Sequence, residues 1–316
     1  MRNLLYLLLY LCANAAAQSY PARPIRLIVP QGAGGSTDII SRITAQRMAT
    51  QMKQQIVIDN RTGAGGIIGV EIAANAAPDG YTLVLSATAT HALSPSMRKV
   101  PYHPLRDFEA ISLIATTPYV LVVHPSLPVN SAAELIKLAR ARPGAIQYAS
   151  SGNGTMPQMS AELFKAMAKI DMLHVPYKAS PPALADVMGG RVSVYFAGVP
   201  STLPHIKAGR IKALGVTALK RSVALPDLPT IHEAAVPGYE AVPWIGLVAP
   251  AKTSQAIIAR LNREVAAALA TPEVREQLLL QGAEPGAGTP DAHARYLASE
   301  LQKWGKVITQ IGVKVD

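Results

Sequence analysis

The chain has 316 residues, of which 49% are hydrophobic and 16% charged, and its formal net charge is +10. A chain of this length and apolar content can bury a large core and is expected to divide into two domains. Its 30 lysine and arginine residues are scattered and only 5% of its residues are aromatic, which argues against nucleic-acid binding. The positive charge instead favours the attraction of small anions.

Residues 1–17 have the pattern of a secretory signal peptide, because Arg2 precedes an apolar run and Ala15 and Ala17 supply the small residues of a cleavage site. The single cysteine, Cys12, lies inside this segment, so we predict a mature chain without a thiol. Lipid attachment at Cys12 is the alternative, although the bulky residues before it fit that reading poorly. No later run is long and apolar enough to cross a bilayer, and we predict an exported protein of the periplasm.

Short β-branched segments alternate with segments of helical period in the first third of the chain. The segments predicted as strands, buried on both faces of a parallel sheet, are 25–30, 55–60 and 81–87. The first intervening helix is predicted to have Ser36 or Thr37 as its N-cap. The second is predicted from about Gly66 to Asn75.

The alternation begins again after an extended stretch at 111–125, and a second extended stretch at 242–250 is followed only by helices. This order predicts an α/β fold with two lobes, each a mainly parallel sheet flanked by helices, joined by two crossing strands. Lobe 1 is predicted to comprise 18–117 and 245–316, and lobe 2 to comprise 118–244. The C-terminal helices are expected to pack back on lobe 1.

Three loops without bulky side chains follow the predicted strands of lobe 1, at 30–38, 60–69 and 86–92. In open parallel sheets, ligands bind beyond the carboxyl ends of the strands, where loops lead into helices. Glycine lets main-chain N–H groups approach a ligand closely, and a helix N-terminus adds unpaired donors and partial positive charge. Two neighbouring glycine-rich helix starts therefore predict a site for an anion such as a carboxylate.

Other interpretations of these glycines fit less well. A dinucleotide fingerprint would require glycine where Thr37 and Ile68 stand, and no lysine follows closely enough for a phosphate-binding P-loop. Tight turns and helix caps remain the structural alternative.

An enzyme is the competing class of protein. The sequence contains neither the G-x-S-x-G nucleophile motif nor H-E-x-x-H, and its histidines are dispersed, so we predict no metal and no cofactor. Acid–base catalysis by Asp38, Asp186 and His91 stays open, because folding can bring distant residues together. A structural protein of the cell envelope would explain export but not the paired glycine loops.

Several blocks, taken together, resemble one family. "YPARPIRLIVPQGAGGSTDIISR", "NRTGAGGIIG", "YASSGNGTMPQMSAELF", "HVPYKASPPALADVMGGRV" and "LPTIHEAAVPGYEAVPWIGLVAP" are similar, in order, to blocks of the Bug-type extracytoplasmic solute-binding proteins, the substrate-binding family of tripartite tricarboxylate transporters. The resemblance covers residues 20–316. It implies a two-lobed periplasmic binding fold that closes on a small organic anion.

The resemblance also implies which residues bind the ligand, with main-chain N–H groups of the two glycine-rich loops gripping a carboxylate. The ligand-binding residues implied in this way are Gly34, Gly35, Ser36, Asp38, Ala64, Gly65, Gly66, Ile67, Thr88, His91, Ser151, Gly152, Thr155, Tyr177, Asp186 and Phe196. Purely structural roles are the alternatives for six of them: Ser36, Ser151 and Thr155 as helix caps, Asp38 as a loop tether or partner of the helix dipole, His91 as a local hydrogen-bonding residue and Tyr177 as packing at a strand end.

The implied function is capture of a small organic carboxylate and its delivery to a two-component membrane permease. A subunit of a periplasmic sensor, or a secreted hydrolase, is the alternative. We expect a monomer. The chain departs from the usual family pattern at four positions of the expected cleft, Gln31, Gln158, Ala179 and Gly198, and these leave the identity of the carboxylate open.

Overall fold

The computed structural model describes residues 20–312. The predicted signal peptide and Cys12 lie outside these residues, so both remain predictions. In the part of the chain that is described, no helix combines the length and the apolar character needed to cross a membrane.

Two mixed sheets form the centre of the fold. The strands are β1 (Ile25–Val29), β2 (Ile56–Asn60), β3 (Thr82–Ala87), β4 (Phe108–Thr116), β5 (Tyr119–Val123), β6 (Gln147–Ser150), β7 (Leu173–Pro176), β8 (Val194–Gly198), β9 (Lys212–Val216), β10 (Trp244–Pro250) and β11 (Glu284–Pro285). The first sheet has the order β11-β4-β10-β3-β1-β2, and the second has the order β7-β6-β8-β5-β9. The predicted α/β fold with two helix-flanked sheets is confirmed, but the sheets are mixed and not mainly parallel as predicted, because the strands next to the crossings pair antiparallel.

Helices flank both sheets. They are α1 (Ser36–Met52), α2 (Ile67–Ala74), α3 (Ser94–Met97), α4 (Ala132–Ala141), α5 (Met156–Ala168), α6 (Ser180–Met188), α7 (Val199–Lys207), α8 (Ile231–Ala234), α9 (Gln255–Ala270), α10 (Pro272–Leu280) and α11 (Pro290–Ile311). A short 3-10 turn, Ala64–Gly66, precedes α2, and a π-helical turn, Ala89–Leu93, precedes α3.

Parallel and antiparallel pairing divide each sheet. In the first sheet β1 pairs in parallel with β2 and β3, whereas β10 pairs antiparallel with β3 and β4. In the second sheet β6 pairs in parallel with β7 and β8, whereas β5 pairs antiparallel with β8 and β9. The strands that pair in parallel are connected to each other through helices, as parallel pairing requires. The antiparallel pairs involve the strands at which the chain crosses from one sheet to the other.

The chain passes between the sheets twice, and the two passages are hydrogen-bonded to each other. Thr117, directly after β4, donates its N–H to Pro243 O at 2.8 Å, and Tyr119 donates its N–H to Thr217 Oγ1 at 2.8 Å. Ala241 N–H in turn donates to Thr217 O at 2.9 Å. The two crossings therefore form one paired connection beside the space between the sheets.

Two local predictions need correction. Strand β2 is not buried on both faces, because it is the edge of its sheet and Val57 is 49% exposed. Helix α1 has Gly35 at its N-cap, and neither Ser36 nor Thr37 fills that role, since both already lie in its first turn. The helix predicted from about Gly66 to Asn75 is confirmed as α2, Ile67–Ala74, which a 3-10 turn directly precedes.

The C-terminal helices pack in two ways. Helices α9 and α10 contact α1, as expected for helices that return to the first sheet. In α11, however, Trp304 and Ile308 belong to the same buried cluster as Leu121 of β5 and Phe164 of α5, which flanks the second sheet. This last helix therefore contributes to the core on both sides of the crossing.

Candidate functional site

A cavity of about 390 Å³ lies between the loops of the two sheets. Its walls include the first residues of helices α1, α5 and α6, the residue Gly198 that directly precedes α7, and the 3-10 turn before α2. Among the described residues that line it, Lys178 is the only one with a charged side chain, and that side chain is exposed. The site is thus built mainly from main chain, small hydroxyl side chains and apolar groups.

The loop from β1 to α1 is held by the carboxylate of Asp38. Gly34 N–H donates to Asp38 Oδ2 at 2.9 Å, Arg42 Nε donates to the same oxygen at 3.0 Å, and Asn60 Nδ2 donates to Oδ1 at 3.0 Å. Burial alone would raise the pKa of Asp38, but the hydrogen bonds from Arg42, Gly34 and Asn60 outweigh it and lower that pKa. Asp38 lies behind the loop, outside the cavity lining, and ties it to the end of β2.

The loop from β2 to α2 turns through residues of left-handed conformation. Gly63, Ala64, Gly65 and Gly66 have φ angles of 123°, 48°, 71° and 99°. At Gly66 a β-carbon would lie 2.7 Å from Thr90 Cγ2 and 2.9 Å from Pro30 O. Glycine is therefore required there for close packing against the neighbouring loop as well as for its backbone angle.

In the third loop of the first sheet, after β3, one predicted site residue lines the cavity and another is buried in the core. Thr88 lines the cavity, and its Oγ1 accepts the N–H of Trp244 at 2.9 Å. His91 is buried beside the rings of Tyr102 and Phe108, and burial followed by the nearby His293 lowers its pKa to about 3. A neutral histidine enclosed in this way does not reach the cavity.

The second sheet contributes the loop between β6 and α5. Ser151, Gly152, Asn153 and Thr155 line the cavity, and Thr155 Oγ1 donates to Gly152 O at 2.7 Å. This hydroxyl accepts no N–H of α5, so the first N–H groups of the helix have neither a helical partner nor a side-chain cap.

Tyr177 follows β7 and lines the cavity, while its hydroxyl donates to Asp186 Oδ2 at 2.7 Å. Asp186 also pairs with Arg191 at 2.6 Å and faces away from the cavity. The hydrogen bond from Tyr177, followed by that from Arg191, lowers the pKa of Asp186. Phe196 packs against Phe164 inside the core, with ring centroids 5.6 Å apart.

Loops of the two sheets touch each other across the cavity. A β-carbon on Gly32 would lie 3.6 Å from Ala179 Cβ, and one on Gly65 would lie 3.6 Å from Asn153 O. At Gly198 a β-carbon would overlap Ser36 Oγ and lie 2.9 Å from Ser36 Cβ. The two sheets are thus in a closed arrangement that requires the absence of a side chain at position 198.

The structure brings most of the sequence-predicted site residues to one cavity. Those lining it are Gly35, Ser36, Ala64, Gly65, Gly66, Thr88, Ser151, Gly152, Thr155 and Tyr177. Those that do not line it are Gly34, Asp38, Ile67, His91, Asp186 and Phe196. The second group supports the loops from behind or belongs to the cores, so a direct ligand contact is not expected of these side chains in this arrangement.

Sequence analysis missed several lining residues. Lys178 adjoins the predicted contact Tyr177 in the loop after β7, and this adjacency was a usable signal. Thr117, Tyr119 and Pro243 line the cavity from the two crossings, where nothing in the local pattern distinguishes a wall from a connection. Their position follows only from the pairing of the two crossings.

Residues 20–312 contain no group of three or more histidine, cysteine, aspartate or glutamate residues positioned to hold a metal ion. One serine–histidine pair, Ser150 Oγ and His174 Nε2 at 2.6 Å, lies beneath the second-sheet loop. Ser150 is fully buried and does not line the cavity, which places this pair in the support of the loop.

A cavity between two helix-flanked sheets, entered by several helix N-termini and bounded by a double crossing, defines a two-lobed solute-binding protein. Residues 40–313 match the family model described as tripartite tricarboxylate transporter family receptor. The chain belongs to this family of receptors.

Individual relatives agree with this assignment. The protein BugT of Bordetella pertussis is 38% identical over 307 residues, which cover 96% of this chain and 94% of BugT. The solved structure of R. palustris Rpa4515 with adipate has a TM-score of 0.90 and 39% identity, covering 93% of this chain and 99% of that one. MatC of Rhodopseudomonas palustris with bound malate has a TM-score of 0.86 and 31% identity, covering 92% and 100%.

Proposed function

We propose that this receptor captures a small organic carboxylate in the cavity between its sheets and delivers it to a two-component membrane permease. The observation that carries the proposal is the convergence of five helix starts on one cavity, at Gly35, Gly66, Thr155, Ala179 and Gly198. Each start presents N–H groups without helical partners and the positive end of a helix dipole. An anion is the ligand that such an arrangement favours.

The first-sheet loops form the carboxylate grip in this proposal. Ser36 and Gly65 stand at two neighbouring helix starts, and the small residues around them leave the main chain open to the cavity. Hydrogen bonds from N–H groups to a charged carboxylate are worth about 1.5–3 kcal/mol each. Two relatives of similar fold hold adipate and malate, which are both dicarboxylates.

Closure is the proposed means of retention. We assign 18–117 with 245–316 to one lobe and 118–244 to the other, so that the paired crossings at Thr117 and Pro243 form the hinge. A ligand that contacts both lobes shifts the balance between open and closed forms by its preference for the closed form. The contact between Ser36 and Gly198 marks where the lobes meet.

Export to the periplasm as a monomer completes the proposal, with the closed form as the state that the permease recognises. Neither a sensor subunit nor a hydrolase gains support from a specific feature of the cavity. The ligand is expected to be released unaltered.

A thermal-unfolding screen of the mature protein tests the carboxylate assignment. Adipate, malate, citrate and glutamate are compared with adipamide, which keeps the shape of adipate but has no charge. A carboxylate present at 100 times its dissociation constant should add about 2.7 kcal/mol to the unfolding free energy. The proposal would be contradicted if adipamide stabilised the protein as much as adipate does, or if none of the carboxylates stabilised it. Chromatography of the released ligand checks that it is chemically unchanged.

A further inference from the structure

A polar cluster lies beneath the cavity loop 151–155 without lining the cavity. It consists of Ser150 at the end of β6, Gln158 in the first turns of α5 and His174 in β7. Ser150 is fully buried, Gln158 is 7% exposed and His174 is half-buried. Three separate elements thus place hydrogen-bonding side chains directly behind the loop.

The hydrogen bonds of this cluster have only one consistent set of directions. Gly154 N–H donates to Gln158 Oε1 at 2.6 Å, which orients the amide so that its NH2 group faces His174 Nδ1 at 3.4 Å. Because an NH2 group can only donate, Nδ1 must accept, and the proton of a neutral His174 must be on Nε2.

The remaining bonds connect this proton to the loop. His174 Nε2 and Ser150 Oγ are 2.6 Å apart, so the Nε2–H group donates to the serine oxygen. Ser150 Oγ also accepts Gly152 N–H at 3.1 Å and donates its own proton to Gly152 O at 3.1 Å. Each of these hydrogen bonds then joins a donor to an acceptor, and the loop is anchored at Gly152 and at Gly154.

We infer that Gln158 and His174 are positioning residues that hold the cavity loop in its binding conformation only while His174 is neutral, so that acidification weakens ligand binding. The effect on affinity rests on the proposed binding function of the cavity. The relay itself, Gly154 to Gln158 to His174 to Ser150 to Gly152, rests on the hydrogen bonds alone.

Protonation of His174 would place a second N–H group opposite the NH2 group of Gln158. Rotating the amide would relieve this conflict, but it would turn the same NH2 group toward Gly154 N–H and release that end of the loop. Either arrangement leaves two donors facing each other, which is unfavourable in a buried site. The neutral imidazole is therefore the form that fits the closed loop.

The groups around His174 are consistent with a neutral ring. Tyr148 of β6 stacks on it at 4.8 Å, and α5 contributes Glu162 and Lys165 nearby. Lys165 pairs with Glu162 at 3.1 Å and lies 3.8 Å from Asp171, while Glu162 also accepts the hydroxyl of Tyr148. Burial, followed by the opposing effects of Glu162 and Lys165, leaves the pKa of His174 below its usual 6.5.

The direction of the pH effect follows from this lowered pKa. Folding favours the neutral ring, so the contribution of His174 to stability is present above pH 6.5 and is lost as pH falls through its folded-state pKa. Loss of one buried hydrogen bond at the loop corresponds to a decrease in affinity of about three- to tenfold.

Nitrogen-15 NMR of the ligand-free protein tests the relay independently of any ligand. His174 signals are assigned by their absence in His174→Gln, and His205→Asn is the control, because the side chain of His205 lies outside both the cluster and the cavity lining. The relay predicts a neutral ring protonated at Nε2 at pH 7.5. A proton on Nδ1, or a charged ring at that pH, would overturn it.

Calorimetric titration with adipate at pH 7.5, and at a lower pH at which NMR shows His174 of the ligand-free protein to be protonated, tests the effect on affinity. The His174→Gln variant keeps an N–H donor for Ser150 but cannot be protonated. The ionisation of adipate affects the wild-type protein and the variant equally, so it cancels when their affinities are compared. The wild-type protein should lose about three- to tenfold more affinity than His174→Gln on acidification. Gln158→Glu, which offers a carboxylate to a protonated ring, should reduce this extra loss.

Equal pH dependence in the wild-type protein and His174→Gln would overturn the effect on affinity while leaving the carboxylate site intact. Absence of binding by adipate and by every other carboxylate of the screen would instead overturn the proposed function, and the effect on affinity with it. The NMR result decides the relay in either case.

Discussion

The two sides of the cavity use different chemistry to present their donors. The first-sheet loops rely on main chain freed by small residues, with Gly65 and Gly66 in left-handed conformations. Side chains hold loops from behind on both sides, but the anchor of the first side is the charged carboxylate of Asp38, whereas on the second side the uncharged Ser150 and Gln158 bind the backbone at Gly152 and Gly154. The open main chain of the first side therefore suits the carboxylate group of a ligand.

Replacing Gly66 with valine should break the first side most severely. The added side chain would clash with Thr90 and Pro30 and would strain a backbone at φ 99°, so the loop must move. We expect the affinity for adipate to fall at least about a hundredfold, because the ligand would lose two charge-assisted hydrogen bonds to the loop. Gly209→Val is the matched control, because Gly209 also has positive φ, at 68°, but has open space around it. Unchanged affinity measured by calorimetry would contradict the main-chain grip.

The Gly198→Ala substitution tests the contact between the two sides. Its methyl group would collide with Ser36 in the closed form but would be tolerated in an open one. We expect wild-type stability without ligand and about a tenfold loss of affinity, which is within the range for overpacking a contact. Gly189→Ala, where the β-carbon would meet no atom closer than 3.4 Å, is the control. X-ray scattering with saturating adipate should show a less compact variant; full closure would refute the steric role.

Asp38→Asn should loosen the first side from behind. The substitution removes the charge that pairs with Arg42 and disturbs the bonds from Gly34 and Asn60. Because Arg42 is 53% exposed, we expect a loss of only about 1–2 kcal/mol in unfolding free energy at pH 7. The lowered pKa of Asp38 means that its contribution is present above its usual pKa and is lost as pH falls. Urea unfolding at pH 7 and pH 3 should therefore show a smaller difference at the lower pH, and an equal difference at both would count against the tether.

Ser36→Ala should have the smallest effect. The main-chain N–H groups of α1 remain in place, and the Ser36 hydroxyl does not cap the helix. We expect affinity to change by less than about threefold, below the value of one charge-assisted hydrogen bond. A much larger loss in the same calorimetric assay would show that the first side binds through its hydroxyl.

The sequence predicted the strands, the glycine loops and their position at helix starts, because periodicity and turn residues are local signals. It did not predict that β2 is an edge strand, since strand order depends on long-range pairing. The family resemblance implied ligand contacts for His91 and Phe196, but both side chains are buried in cores. Sequence position fixes where the chain turns, whereas the direction of a side chain at the turn depends on tertiary packing.

The cavity walls contributed by the crossings illustrate the same limit. Tyr119 and Pro243 are distant in sequence and meet only because Thr117 and Tyr119 bond to the returning chain. The relay behind the second-sheet loop was equally hidden, because Gln158 was recognisable only as a departure from a resemblance. Its partner His174 becomes evident once β6 and β7 are paired.

A crystal structure of the mature protein with adipate tests the central claim most directly. Our account predicts a carboxylate group within hydrogen-bonding distance of main-chain N–H groups at the starts of α1 and of the 3-10 turn Ala64–Gly66. It also predicts that the second-sheet loop contacts the distal end of the ligand. A carboxylate bound outside this cavity, or held there by Lys178 with the loop N–H groups unused, would contradict the account.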